Sequence, residues 1–290
     1  MHPAPSLILF TVLSGMGFGL LVWLGLGLRA PLGLAAFVMF ALGYGLAGAG
    51  LVAAAFHLGH PERALKAFSQ WRSSWLSREA VLAVVTLIVL APHAAASVFF
   101  DQPLPIIGLL GALLALATIF ATGMIYAQIS AVPRWNHAST PFLFVIAALG
   151  GSAILAGLRE LAIVLMVALA VAMVVHWWAG DQRAAQPGSD RGSATGLGVL
   201  GRVRLLEPPH SGQNYLLREM VHVVGRKHAM KLRALALGLG ALLPLLILAL
   251  PLGLAGLGLA LFAHGVGILA QRWLFFAEAE HLVGLYYDSR

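Results

Sequence analysis

The 290-residue chain contains no cysteine, and only 10% of its residues are charged. Without thiols it holds no disulfide, no thiolate metal site and no iron–sulfur ligation of its own. The shortage of charge excludes an ordinary soluble domain, in which about a quarter of residues are Asp, Glu, Lys or Arg. A basic segment ahead of the first apolar run is also missing. That run starts directly after Met1-His2-Pro3-Ala4-Pro5, which predicts an uncleaved first span and not a cleaved leader. The sequence shows no internal repeat and no motif for binding DNA or RNA, so no nucleic-acid partner is expected.

What the chain has in abundance is apolar length. Hydrophobic residues make up 60% of it and the mean hydropathy is +0.90. Apolar runs of about 18 or more residues read as membrane-crossing helices, because a helix satisfies its own backbone in lipid. Eight such runs are expected, at 6–28, 32–59, 77–99, 104–129, 140–158, 160–179, 231–250 and 252–283. The predicted fold is all-α, a polytopic bundle of eight transmembrane helices forming a single integral-membrane domain over 1–290. Gly15, Gly17 and Gly19, and Gly43, Gly45, Gly48 and Gly50, are read as contact points where neighbouring helices approach closely.

Charge is distributed unevenly along the connections. With eight spans, the termini and the connections after spans two, four and six share a side. That side collects Arg63, Lys66, Arg72, Arg78, Arg134, Arg183, Arg191, Arg202, Arg204, Arg218, Arg226, Lys227, Lys231 and Arg233. The other side offers Arg29 and Arg159. The positive-inside rule places both termini and the basic connections in the cytoplasm. The net charge of +7 suits anionic lipid and an acidic partner subunit.

The densest polar stretch runs from His57-Leu58-Gly59-His60-Pro61-Glu62-Arg63 to Phe68-Ser69-Gln70-Trp71-Arg72-Ser73-Ser74-Trp75-Leu76-Ser77-Arg78-Glu79. Such a hairpin between two apolar runs is costly at a bilayer face unless it docks a partner or lines a site. A second polar stretch, the connection over 181–230, begins with an irregular loop rich in glycine. From Asn214 it turns to a helical pattern that predicts a helix lying on the membrane surface.

Four segments together carry a resemblance. They are His57-Leu58-Gly59-His60-Pro61, the stretch from Trp71 to Glu79, Ala131-Val132-Pro133-Arg134-Trp135-Asn136 with Thr140-Pro141, and Asn214-Tyr215-Leu216-Leu217-Arg218-Glu219-Met220. In this order they resemble the membrane anchor subunits of dimethyl sulfoxide reductase-type molybdoenzymes, and within that family the branch that anchors the cytoplasmic sulfite dehydrogenase. The resemblance implies a heterotrimer in the bacterial cytoplasmic membrane, with a molybdopterin catalytic subunit, a ferredoxin-like iron–sulfur subunit, and an anchor that binds quinone (menaquinone or ubiquinone). It implies no haem. Carried over by position, the quinol-linked residues are His57 and Glu79.

The chemistry fits those residue types. Quinone reduction takes up two electrons and two protons, a histidine titrates near neutral pH, and a nearby carboxylate can relay protons. Arg72, Ser73, Trp75 and Arg78 are candidates for the headgroup pocket or for the iron–sulfur subunit, although tryptophans at such a depth also serve as interfacial belts. Tyr126 and Gln128 are further pocket candidates. Arg63, Lys66, Arg134, Trp135, Asn136, Tyr215 and Arg218 are candidate docking residues. Glu278 and His281 are placed on one helix face at the end of the last span, as a proton path or as a solvated helix end. The alternatives are a quinol-oxidising anchor of a dimethyl sulfoxide reductase and a transporter or ion-conducting subunit. The latter usually shows midplane charges, whereas here the middle of the bundle reads as nearly all apolar.

Overall fold

The computed structural model describes residues 3–57, 60–186, 188–207 and 228–287. Its long helices are α1 (Pro5–Gly25), α2 (Gly33–Ala55), α3 (Trp75–Phe99), α4 (Pro105–Ala127), α5 (Ser139–Leu155), α6 (Arg159–Ala185), α7 (Ala229–Ala249) and α8 (Gly253–Ala277). Among the described residues there is no strand. Seven of these helices are long and apolar enough to cross a membrane, and α5 is an apolar helix of 17 residues.

The helix ends follow local chemistry. Proline opens α1 and α4, where its missing N–H would have had no helical partner. Ser74 caps α3 by accepting the Ser77 N–H. After α1 the chain turns through Gly27 at φ 71°, a left-handed conformation suited to glycine, and the Arg29 N–H returns to the Trp23 carbonyl. Several ends differ from the apolar runs. Helix α2 stops at Ala55 and leaves His57 in a turn, because a 3₁₀ segment over Pro61–Phe68 redirects the chain. Helix α8 stops at Ala277, and a 3₁₀ turn over Leu282–Tyr287 follows.

Helix α1 is the hub and packs against α2, α4, α5 and α8. Its Phe18, Leu20, Leu21 and Leu24 are buried. Close approach depends on missing side chains: a Cβ on Gly17 would collide with the backbone of Ala47, and one on Gly50 with that of Ser14. Ser152 of α5 sits against Gly19 and accepts a hydrogen bond from the Trp23 indole at 2.9 Å. The expectation that all the grouped glycines are contact points fails at Gly45 and Gly48, which face open space.

Helices α7 and α8 cross just as closely, with Gly267 against Gly240. Pro244 has no N–H, which removes the helical donor for the carbonyl of Gly240 four residues earlier. Helix α7 widens into a π-turn over Gly238–Leu242. The buried His264 ring donates from Nδ1 to the Gly240 oxygen at 2.7 Å and so satisfies it.

The connection after α6 is more ordered than its composition predicts. A short helix, Arg191–Thr195, begins with a reciprocal cap between Asp190 and Ser193. Arg191 donates to the Leu285 carbonyl at 3.0 Å, and the Tyr286 hydroxyl donates to Ala194, so this piece docks on the end of the chain. The predicted surface helix, with Tyr215 and Arg218, lies outside the described residues.

Replacing Gly17 by valine should lower the unfolding midpoint of the detergent-solubilised protein, with an overpacking penalty of about 1–3 kcal/mol. Gly45→Ala should leave the midpoint unchanged or raise it slightly, because helix propensity improves and nothing is displaced. Thermal unfolding of the two variants in parallel is the check.

Candidate functional site

The polar hairpin joins the ends of α2 and α3. Arg78 pins it from below: Nε donates to the Trp71 carbonyl at 3.0 Å and Nη2 to the Arg72 carbonyl at 2.7 Å. The same guanidinium lies 4.5 Å from the Trp75 ring centre. His60 and Arg63 both contact Glu62. The outer face is unusually apolar for an exposed loop, with Phe56 80%, Leu65 81% and Trp71 54% exposed, and Arg72 and Ser73 are exposed beside them. His57 is exposed at the foot of this patch.

One turn into α3 the polarity goes inward. Glu79 is buried, and its carboxyl group has a single side-chain hydrogen-bond partner among the described residues, the Thr122 hydroxyl at 3.4 Å. Thr122 donates within α4, and the pair Thr86–Thr118 (3.2 Å) continues a line of hydroxyls between α3 and α4. A small cavity of about 10 Å³ touches Thr11, Ser14 and Thr122. It is large enough for about one water.

Facing this line from α8 is Arg272, only 2% exposed and without an ion pair among the described residues. Its guanidinium lies 3.6 Å from the Phe144 ring centre, and Nη1 donates to the Gln271 side-chain oxygen at 3.0 Å. Arg272 Nε and Gln271 Nε2 are buried with no acceptor among the described residues. Unpaired buried donors of this kind are expensive and mark a place where an acceptor is missing. Tyr126 of α4 is buried beside the same Phe144, with ring centres 5.5 Å apart.

Beside Tyr126 an aromatic cluster closes the end of the bundle. Trp135 stacks on Phe275 at 5.1 Å, with its indole N–H donating to the Phe275 carbonyl at 2.9 Å. Phe144 and Phe276 complete the packing. Against it runs a polar string in which the Ser139 hydroxyl meets His137 Nδ1 at 2.9 Å and His176 Nδ1 at 3.1 Å. Outside lies an ionic clamp. Arg233 of α7 grips Asp181 of α6 through both terminal nitrogens, at 2.6 and 2.7 Å, and reaches Glu278 with Nε at 2.9 Å. Arg134, from the turn before α5, joins the same Asp181. Four segments meet at this clamp.

The sequence has relatives among known proteins. Residues 1–179 match the family model described as DMSO reductase anchor subunit (DmsC). A relative named as a sulfite dehydrogenase subunit, from Allochromatium vinosum (strain ATCC 17899 / DSM 180 / NBRC 103801 / NCIMB 10441 / D), is 31% identical over 327 residues that cover 100% of this chain and 99% of the relative. The chain belongs to the DMSO reductase anchor subunit family. No solved structure matches it significantly. The anchor subunit is thus a membrane protein whose polar face gathers at one end of the bundle.

Within the anchor subunit the predicted site residues fall into two groups. Exposed at the hairpin are His57, Arg63, Lys66, Arg72 and Ser73, with Gln128 exposed at the end of α4. Trp75 and Arg78 lie partly buried under them. Glu79 and Tyr126 are buried deeper. Three candidate docking residues are occupied internally. Trp135 is 2% exposed, Asn136 donates to the Ala127 carbonyl at 2.7 Å, and Arg134 is held in the clamp. Glu278 is neither a solvated helix end nor on one helix face with His281. It lies buried past the end of α8 against Arg233, while His281 Nδ1 accepts the Val283 N–H. Arg272 and Gln271 were not singled out by sequence reading, although an Arg set in the last apolar run is itself the signal that finds them.

Replacing Arg233 by methionine should destabilise the anchor subunit by about 3–5 kcal/mol, because Glu278 would keep a buried carboxylate without a partner. Adding Glu278→Gln to that variant should recover part of the loss. Unfolding of single and double variants in one detergent reads both effects.

Proposed function

We propose that the chain is the membrane anchor and quinone-binding subunit of a molybdopterin oxidoreductase complex in the bacterial cytoplasmic membrane. Electrons would pass between a partner iron–sulfur subunit and the quinone pool, with sulfite oxidation to sulfate in the catalytic subunit. The relative named for sulfite dehydrogenase, alike over the full length of both chains, supports that branch. All eight helices cross the bilayer in this reading, α5 included, since 17 residues is at the short limit of a span. Both termini and the hairpin face the cytoplasm, in keeping with the basic connections on that side.

The observation that carries the reading is Glu79. A carboxylate buried in the first turns of a membrane helix, with one long hydrogen bond to Thr122, stands directly inside a basic and aromatic loop. Carboxylates so placed are typical of proton-handling sites. The residues present suit a quinone headgroup: ring N–H of His57 and the indole and guanidinium groups of Trp75 and Arg78 at the mouth, and unpaired donors on Gln271 and Arg272 further in. Quinone, when bound, supplies a two-electron, two-proton acceptor. His57 offers a hydrogen bond to a carbonyl oxygen, and Glu79 holds a proton that Thr122 keeps oriented. Arg78 fixes the loop through the Trp71 and Arg72 carbonyls, and so sets the mouth of the site. The exposed Arg63 and Lys66, with Leu65 and Trp71, offer the docking face for the iron–sulfur subunit.

In the purified complex, His57→Ala and Glu79→Gln should each lower quinone-linked sulfite oxidation by about 10²-fold or more, the range for losing a positioned acid–base group. Turnover with an artificial acceptor should persist. Full quinone turnover in both variants would remove the site from this end of the bundle. A wild-type complex that ignores sulfite but reduces dimethyl sulfoxide with quinol would move the chain to the other branch.

A further inference from the structure

The end of the bundle opposite the hairpin has no part in that reading, yet it carries the larger cavities. A cleft of about 300 Å³ opens between the end of α1, the start of α2 and the α3–α4 turn, and is lined by Leu24, Phe40, His93 and Leu109. A second, of about 220 Å³, opens between α2, the α5–α6 turn and α8, and is lined by Met39, Ile154, Leu257 and Leu261. Arg29 lines both. The turn at Gly27 and the bond from the Arg29 N–H to the Trp23 carbonyl hold this residue between the two clefts.

Arg29 is exposed and forms no ion pair among the described residues, although Asp101 and Glu160 lie at the same end. The other arginine of this rim differs. Arg159 spends its guanidinium on the carbonyls of Leu248 and Leu250, at 2.7 and 3.3 Å. His93 likewise uses Nδ1 on the Leu104 backbone. One available cation therefore stands between two apolar clefts at the level where helices end.

We propose that Arg29 and its two flanking clefts form a binding site for one anionic phospholipid, with the phosphate on the guanidinium and one acyl chain in each cleft. The shape asks for two apolar tails diverging from a single head, which a two-chain lipid has and a quinone, with one tail and no charge, lacks. The charge asks for an anion, and a guanidinium is the side chain best matched to a phosphate. A site of this kind would join the end of α1 and the start of α2 to α8.

The test is lipid binding to the full-length protein in a neutral detergent, followed by native mass spectrometry during titration with phosphatidylglycerol. One lipid should bind in preference to phosphatidylcholine. Arg29→Gln should weaken phosphatidylglycerol about five-fold, the effect of one basic residue at a membrane surface, and bring it level with phosphatidylcholine. Gly258→Phe leaves Arg29 intact and fills the second cleft, since Gly258 lines it and faces open space. It should weaken phosphatidylglycerol as well, which keeps the question answerable if Arg29→Gln does not fold. Unchanged phosphatidylglycerol binding in either variant would overturn the proposal. So would equal binding of phosphatidylcholine to the wild type, or displacement of the lipid by millimolar inorganic phosphate alone.

Discussion

Close backbone approach along α1 is the constraint on which the rest of this structure depends. In lipid there is no hydrophobic force to press one apolar helix on another, so contact area and the few available hydrogen bonds must hold the bundle. Gly17 on Ala47, Gly50 on Ser14, and Gly19 beside the Ser152–Trp23 hydrogen bond bring neighbouring helices to a single central one. With α1 so fixed, α4 and α8 are close enough for Tyr126, Phe144 and Arg272 to share one interior. The second tight crossing, Gly267 on Gly240, anchors α8 to α7 and sets the depth at which Gln271 and Arg272 enter the core.

The two ends of the bundle are built differently. At the hairpin end, charge is organised: Arg78 ties down the loop, and Arg233 ties α6, α7 and the end of α8 through Asp181 and Glu278. At the far end arginines are few, and the packing is looser around Arg29 and Arg159. A polar, cross-linked end suits a surface that meets other subunits, and a looser apolar end suits one that meets lipid. Arg134 and Trp135 look like surface residues in a connection, yet the clamp turns the first inward and Phe275 the second.

Much of this was legible in the chain. Hydropathy alone located the helices, with ends up to six residues off at α6 and α8, since length and apolarity are what a membrane demands. His57, Glu79 and the basic hairpin were visible because polar groups stand out between apolar runs. What could not be read was pairing. Nothing in the local pattern tells that Glu278 finds Arg233, 45 residues away, or that Trp135 bonds to Phe275 across 140 residues. The end of α2 was placed at 59, four residues late, because Phe56 and Leu58 extend the apolar run, whereas the helix stops at Ala55 ahead of Pro61 and its 3₁₀ turn. His264, deep in the last span, likewise has a partner that the local pattern does not reveal: it serves a carbonyl that Pro244, 20 residues earlier, leaves without a donor.

Arg272 carries a further consequence. A guanidinium stays charged in proteins, and here it is buried on α8 against Phe144, with no carboxylate partner among the described residues. Enclosed positive charge raises the potential of the surrounding interior, and small cations, hydronium among them, are repelled from such a region. The interior around Phe144 therefore favours groups that bring negative charge or hydrogen-bond acceptors over groups that bring positive charge.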